Sequence, residues 1–302
     1  MALPPRKGVL IGSLKASTEN LGDYIQILAC LRLLETIDLQ PSIYLDRDTE
    51  LASAPTGEWN AGPILLPLSG WFKHMAGADP QWPPHGRIIP IFIGFHVRPY
   101  QCPALLEPAS VEYMKAHGPV GCRDPFTKRV LEEKGVPTYL SHCLSLTFPR
   151  RPAGQVGDKI VVASRDRDII DLLPSGYRRD PLYVNHYAVK DTFSAYMAAA
   201  RELLALYRSR ARLVITTFLH CALPCLAMGI PVVVFLPRPQ NEFQRTSDEE
   251  RFSGLMQIAP LHRFSNTAEV DWNPPAPDIE SLKETVARDF RNRVAMALAS
   301  LR

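Results

Sequence analysis

The chain has 302 residues, of which 46% are hydrophobic and 22% are charged, and its formal net charge is +3. This composition is typical of a folded globular protein long enough for two ordinary domains, and it excludes an intrinsically disordered chain. Because no dense run of Lys or Arg accompanies the small positive charge, nucleic acid is not expected as a partner.

The predicted elements of the first half follow from apolar runs and from residues that begin or end helices. Apolar residues at helical spacing predict a helix over 21–36. A second helix is bounded by Asp124 as N-cap, Pro125 in the first turn and Gly135 as its stop. The predicted strands cover 8–14, 42–45, 64–66, 88–95, 120–122 and 138–141. A polar segment over 149–158 then predicts a linker.

After the linker the alternation restarts, with predicted strands at 159–163, 182–185, 213–215 and 230–235. Apolar residues from Phe193 to Tyr207 recur at helical spacing, and another helix over 219–228 ends at Gly229. A helix, strand, helix and strand in this order form a parallel βαβ unit. The sequence therefore predicts an α/β protein of two domains, 1–150 and 151–302. A final helix over 279–301 could pack on either domain.

Two further properties concern location and thiols. The first residues lack the apolar core of a secretory signal and no window approaches a membrane span, so we expect a cytoplasmic protein. The six cysteines are scattered without a CxxC pair, which predicts reduced thiols and no metal site.

Polar residues stand where predicted strands pass into helices, and ligands of open α/β sheets bind at that edge. Asn20-Leu-Gly22-Asp23 opens one helix, where the glycine lets backbone N–H groups approach an anion. The same residues could instead form an N-cap with an acidic first turn. Arg123 precedes the capped helix, and it could clamp a carboxylate or phosphate or pair with Asp124 to fix the turn.

Histidines follow four predicted strands. His220 stands between strand 213–215 and the next helix, and His96, His142 and His186 lie at three other strand ends. Several histidines at sheet edges suggest a site that moves protons near neutral pH, although each could simply hydrogen-bond a loop. Arg251, in the segment 251–255, is a further basic contact.

Seven groups of short segments, spread in a consistent order over nearly the whole chain, form a specific combination although none is decisive alone. They are NLGDYIQ at 20–26, SGWF at 69–72 with WPP at 82–84, FH at 95–96, GPVGCRD at 118–124, SHCLSLT at 141–147, LHCALPC at 219–225 with GIP at 229–231, and RFSGL at 251–255. With these segments the chain resembles the polysaccharide pyruvyl transferase family.

The resemblance implies two Rossmann-like domains facing across a cleft, an arrangement of the GT-B type, with the active site in that cleft. The first domain would be the acceptor side and the second the donor side. Phosphoenolpyruvate would be the donor substrate, and no cofactor or metal would be required. The acceptor would be a glycan or a lipid-linked sugar, the latter bringing the protein near a membrane, and the product a pyruvate ketal.

The resemblance also implies roles for individual residues. His220 would protonate the enol methylene, Arg123 would bind the donor's anionic groups, and Asp23 would act as a base. His96 and His186 would be secondary candidates for proton transfer. Substrate contacts are expected from Asn20, Gly22, His96, His142, His186, Phe218, Leu219 and Arg251.

Three positions depart from the pattern of the relatives. Phe218 stands where many relatives carry Arg, His142 where glycine is frequent, and Asn185 where Thr is expected. We predict that Phe218 lies beside the site and supplies contact area in place of the missing cation. The departures leave two other functions open: a glycosyltransferase of the same architecture with a nucleotide-sugar donor, and a non-catalytic binding relative.

Overall fold

A computed structural model describes residues 8–53, 62–72 and 82–301 and divides the chain into two compact units. Unit 1 comprises the described residues of Met1–Ser17, Gln26–Leu144 and Thr285–Arg302, and unit 2 comprises Thr18–Ile25 and Ser145–Glu284. The first seven residues, on which the expected absence of a signal depends, lie outside the described part. Among the helices of the described residues, none has both the length and the apolar character that a bilayer crossing requires.

Unit 1 is built on a six-stranded sheet. Its strands are β1 (Leu10–Lys15), β2 (Ile43–Asp46), β3 (Ile64–Trp71), β4 (Ile88–His96), β5 (Val120–Cys122) and β6 (Thr138–Leu140). They pair in parallel in the order β2-β1-β3-β4-β5-β6. The helices along this part of the chain are α1 (Leu21–Glu35), α2 (Cys102–Leu105), α3 (Pro108–His117) and α4 (Pro125–Glu132). Because the strands are parallel, their carboxyl ends lie at one edge of the sheet.

Unit 2 is built on a five-stranded sheet. Its strands are β7 (Lys159–Ala163), β8 (Leu182–Val184), β9 (Ala211–Thr216), β10 (Val232–Phe235) and β11 (Leu261–His262). They are also parallel, in the order β11-β10-β9-β7-β8. The helices of this second half are α5 (Phe193–Arg210), α6 (Leu219–Ala227), α7 (Glu242–Phe252) and α8 (Glu280–Ser300).

Each sheet forms the middle of an apolar core. In unit 1, Phe72 and Phe95 stack with ring centroids 5.3 Å apart, and Trp82 packs on both rings. In unit 2, all four residues of β10 are buried, as expected of a β-branched strand covered on both faces. The predicted α/β class with parallel sheets is therefore confirmed, including the parallel unit formed by β9, α6 and β10.

Most predicted element ends agree with the structure to within one or two residues. β3 is an exception, because it continues to Trp71 where the sequence predicted an end at residue 66. Four further elements, α2, α3, α7 and β11, were not predicted from the sequence. α7 is strongly polar, so no apolar stripe marked it, although Asn241 caps it by accepting the Gln244 N–H at 2.9 Å.

Candidate functional site

His220 lies in the first turn of α6, just beyond the carboxyl end of β9. Every other residue of α6 is buried, whereas His220 is half-buried. Phe218 is the N-cap, with an extended backbone (φ −104°, ψ 120°), and its N–H donates to Thr216 Oγ1 at 2.9 Å. The passage from a buried strand to a buried helix thus leaves one ionisable side chain partly accessible at a helix N-terminus, where the helix dipole favours an anion.

Gly22, in the first turn of α1, lies directly against His220. A Cβ atom at position 22 would stand 3.1 Å from His220 Cβ and 3.3 Å from His220 Nδ1. Ordinary contacts of a Cβ atom begin at 3.4 Å, so the absence of a side chain at Gly22 is what permits this approach. Two motifs far apart in the sequence therefore meet within unit 2, each at the start of a helix.

Asn20 fixes the entry into α1. Its Oδ1 accepts the Gly22 N–H at 3.0 Å, and its carbonyl accepts the Asp23 N–H at 3.0 Å. Its backbone pairs with that of Tyr187 in an antiparallel bridge, and the Leu21 N–H donates to the His186 carbonyl at 2.7 Å. Asn20 has the capping contacts that the sequence allowed, and it also ties the start of α1 to the segment after β8.

Asp23 is buried in the same turn. Thr18 Oγ1 donates to Asp23 Oδ2 at 2.7 Å, and the Tyr24 hydroxyl donates to the Thr18 carbonyl at 2.8 Å. Asp23 is 3% exposed, so its surroundings must move before a substrate can contact its carboxylate. Its role as a base stays a prediction.

His186 supports the residue that caps α6. It is 1% exposed, and its Nε2 lies 2.7 Å from the Tyr207 hydroxyl. Its ring stacks on that of Phe218 with centroids 4.7 Å apart and an angle of 23°. The Phe218 ring also lies against the Tyr187 ring, with their centroids 6.0 Å apart. Leu219, the next residue, is buried. These contacts hold the start of α6, and with it His220, in a defined position.

Two thiols follow His220 on α6. Cys221 and Cys225 are free cysteines and fully buried. Burial raises the pKa of Cys225 and of Tyr207 well above their usual ranges. Burial acts on Cys221 in the same direction, but hydrogen bonds with Cys225, His186 and Tyr207 lower the pKa of its thiol. The thiols thus form part of the polar contacts beneath the start of α6.

In unit 1, three polar side chains stand together at the carboxyl ends of β4 and β5. His96 Nδ1 lies 2.6 Å from Asp124 Oδ2, and Arg123 Nε lies 3.5 Å from the same oxygen. Asp124 also caps α4, since its Oδ1 accepts the Thr127 N–H at 2.9 Å. The Arg–Asp pair left open by the sequence is present. The contact with His96 was not predicted from the sequence, although His96 ends β4 and Asp124 closely follows β5, the strand that pairs with it.

His96 is a neutral imidazole near pH 7. Burial and the positive charges of Arg123 and Arg98 lower its pKa to about 4, despite the opposing charge of Asp124. Because a carboxylate accepts hydrogen bonds, Nδ1 carries the proton and Nε2 is an acceptor, without a hydrogen-bond partner among the described residues. Burial alone would raise the pKa of Asp124, but His96, Arg123 and the Thr127 N–H together lower it. The pair is thus an oriented acceptor for a proton.

Three further residues were singled out by the sequence. His142 has φ 58°, in the left-handed region that favours glycine. Burial lowers the pKa of His142. Asn185 is exposed, and its Oδ1 accepts the Tyr187 N–H at 3.1 Å. Arg251 lies at the end of α7, with Nε 3.4 Å from Asp248 Oδ1. The substrate contacts expected of His142 and Arg251 stay predictions.

A model of the polysaccharide pyruvyl transferase family matches residues 20–238 of the chain. The match begins at Asn20 and includes Arg123 and His220, whereas Arg251 lies beyond it. No curated protein matches the chain.

Solved structures resemble the chain at low sequence identity. An uncharacterised protein of Klebsiella pneumoniae is 14% identical, with a TM-score of 0.47 over 84% of this chain and 92% of that one. A candidate UDP-N-acetylglucosamine 2-epimerase of Listeria monocytogenes is 11% identical, with a TM-score of 0.40 over 96% and 88%. The glycotransferase of kitacinnamycin is 11% identical, with a TM-score of 0.32 over 97% and 96%.

Proposed function

Since this chain belongs to the polysaccharide pyruvyl transferase family, we propose that it transfers the enolpyruvyl group of phosphoenolpyruvate to two hydroxyls of a sugar. The product is a pyruvate ketal on a glycan or glycan precursor. The observation that carries the proposal is the contact of Gly22 with His220, which joins two family segments at the starts of α1 and α6.

The reaction begins with a proton. An imidazolium at His220 donates its proton to the methylene carbon of the enol, and positive charge develops on the adjacent carbon. A sugar hydroxyl attacks that carbon and loses its proton to a base. The carbon–oxygen bond to phosphate then breaks, and the phosphate leaves with the bonding electrons. The second hydroxyl attacks the same carbon and loses its proton to the departing phosphate. One phosphoenolpyruvate and two hydroxyls thus give one ketal and inorganic phosphate.

The surroundings of His220 support the binding of an anion. The helix dipole of α6 favours an anion at its N-terminus, and Gly22 of α1 lies beside that terminus without a side chain to obstruct it. A phosphate bound there stabilises the imidazolium form of His220 and keeps it next to the enol. Arg123, in unit 1, is assigned to the anionic groups of the substrates because a guanidinium binds carboxylate or phosphate at two points.

Two groups are candidates for the base. Asp23 is a buried carboxylate one residue from Gly22, and it already accepts the Thr18 hydroxyl. His96 has an open Nε2 and a proton fixed on Nδ1 by Asp124. Burial lowers the pKa of His96 to about 4, so its imidazole is neutral at pH 7 and its Nε2 is an acceptor. The rates of ketal formation of Asp23→Asn and His96→Asn separate the two assignments, because only the variant that lacks the base should be slow.

The decisive experiment is mass spectrometry of candidate glycans after incubation with the protein and phosphoenolpyruvate. We expect a ketal on the acceptor, and a fall in turnover on the order of a hundredfold or more for His220→Gln with a smaller effect on donor affinity. His117→Gln, at the exposed end of α3, is the matched control and should leave turnover unchanged. Near-normal turnover of His220→Gln would remove this histidine as the proton donor.

A thermal-shift comparison tests the donor itself. A ligand that binds only the folded protein raises its melting temperature, so phosphoenolpyruvate should stabilise the wild type. Stabilisation by a nucleotide sugar and not by phosphoenolpyruvate would instead identify a glycosyltransferase.

A further inference from the structure

The strand order of unit 2 places its ligand crevice beside β7. The chain passes from β7 to β8 on one side and then to β9 on the other, so the order reverses between β7 and β9. Ligands of open parallel sheets bind at such a switch point, between the loops that follow the two strands. The loop after β9 leads to His220. The loop after β7 begins Ser164-Arg165, and Ser164 Oγ accepts the Thr217 hydroxyl at 3.0 Å.

Arg165, in this loop, is held by an aromatic ring but has no acidic partner among the described residues. Its guanidinium carbon lies 3.7 Å from the centre of the Tyr187 ring, which is a close cation–π contact. The side chain is exposed, and within the described residues it makes no ion pair. Asp168, the acidic residue three positions on, is bound to Arg238 at 2.7 Å. The ring covers one face of the guanidinium and leaves the N–H groups on its edge for a ligand.

Tyr187 connects Arg165 to the groups already described. Its backbone pairs with Asn20, whose side chain holds the Gly22 N–H, and Gly22 lies against His220. Its ring also contacts Phe218, the N-cap of α6. Arg165 is therefore carried by the same framework that positions His220, although it comes from a different strand.

We propose that Arg165 binds the carboxylate of the donor in unit 2, with Tyr187 as the positioning residue that holds its guanidinium. The inference rests on the proposed function and adds the residue that distinguishes an enolpyruvyl donor from a simple phosphate ester. The phosphate has the helix N-terminus and His220 as partners, whereas a planar carboxylate matches the two-point geometry of guanidinium. Arg165 thereby supplies unit 2 with a positive charge on the Tyr187 ring, which in turn contacts Phe218.

The test is calorimetric titration of phosphoenolpyruvate into Arg165→Met, with inorganic phosphate as a second ligand. Loss of a charged hydrogen-bonded contact should weaken phosphoenolpyruvate binding by about 10- to 100-fold, while inorganic phosphate binds as it does to the wild type. Arg167→Met is the matched control, because Arg167 is also exposed and stacked on a tyrosine, with its guanidinium carbon 5.1 Å from the Tyr183 ring centre. It should bind both ligands normally.

Tyr187 provides a second and independent variant. Tyr187→Phe keeps the aromatic ring and should bind phosphoenolpyruvate normally, whereas Tyr187→Ala should weaken binding in the same direction as Arg165→Met. Unchanged phosphoenolpyruvate affinity in Arg165→Met would overturn the inference, and an equal loss for inorganic phosphate would overturn the carboxylate assignment. A wild type that binds no phosphoenolpyruvate would refute the proposed function itself, which is a separate result.

Discussion

Gly22→Ala tests whether the contact between α1 and His220 is functional. The added methyl group would lie 3.1 Å from His220 Cβ and 3.1 Å from Asn20 Oδ1, so these neighbours must move by a few tenths of an ångström. Overpacking of this kind typically costs about 1–3 kcal/mol, and replacing glycine in a helix recovers about 0.5–1 kcal/mol. We therefore expect a net loss of about 0–2.5 kcal/mol in the free energy of unfolding and a folded variant.

The effect on catalysis should be larger than this modest change in stability suggests. A misplacement of 1 Å can cost about a hundredfold in rate, so a few tenths of an ångström at His220 should lower kcat by roughly three- to tenfold. The assay is the initial rate of phosphate release or ketal formation at saturating phosphoenolpyruvate. Gly176→Ala, at a position of unit 2 where an added Cβ meets no atom within 4 Å, is the control and should change neither rate nor stability.

The double variant decides how Gly22→Ala acts. If the methyl group slows the reaction by displacing the imidazole, it should cause little further loss in a His220→Gln background, because the group it displaces is gone. Equal losses in both backgrounds would show that Gly22 acts through another contact. A Gly22→Ala protein with reduced stability but an unchanged rate would refute the reasoning and leave the contact as packing alone.

Three other outcomes are expected. Arg123→Lys should lose most of its affinity for phosphoenolpyruvate in a binding titration, because an ammonium cannot reproduce the planar contact of guanidinium. If Arg123→Lys binds phosphoenolpyruvate normally and a separate variant, Asp124→Ala, is unfolded, then Arg123 only fixes the turn. Phe218→Arg should remain folded and bind phosphoenolpyruvate at least as tightly as the wild type, since a guanidinium can stack where the phenyl ring lies on His186; global misfolding would assign Phe218 to the core. Burial lowers the pKa of His96 to about 4 in the folded protein, so between about pH 6.5 and pH 4 this histidine is protonated only in the unfolded chain. The free energy of unfolding should therefore fall as the pH drops through that range. The loss from this group is on the order of 3 kcal/mol, and denaturant titrations of His96→Asn should show a flatter dependence over that range.

Local signals predicted much of the fold. Asp124, Pro125 and Gly135 marked α4, and Gly229, with φ 72°, marked the end of α6. These signals are strong because capping and positive φ depend on single residues. α3 was missed because few of its residues are buried, although Pro108 stands at its first position.

The contacts within the site were harder to predict than the residues themselves. Chain position indicated that His220 and Gly22 each open a helix, but their proximity depends on packing between segments distant in sequence. The same holds for His96 and Asp124, whose contact follows from the pairing of β4 with β5. Arg165 gave no sequence signal, because only the strand order reveals that its loop lies at the switch point.

The buried thiols of α6 make the motion of that helix measurable. Cys221 and Cys225 are inaccessible in the folded unit, so an alkylating reagent reaches them only when α6 detaches locally. Their labelling rate in the native protein, read by peptide mass mapping, therefore gives the free energy of local opening, with half-buried Cys102 as a reference thiol. A donor that binds only while α6 is in place must slow this labelling in proportion to the fraction of protein that has donor bound. The opening of the segment that carries His220 can thus be timed, with and without substrate, without introducing a foreign probe.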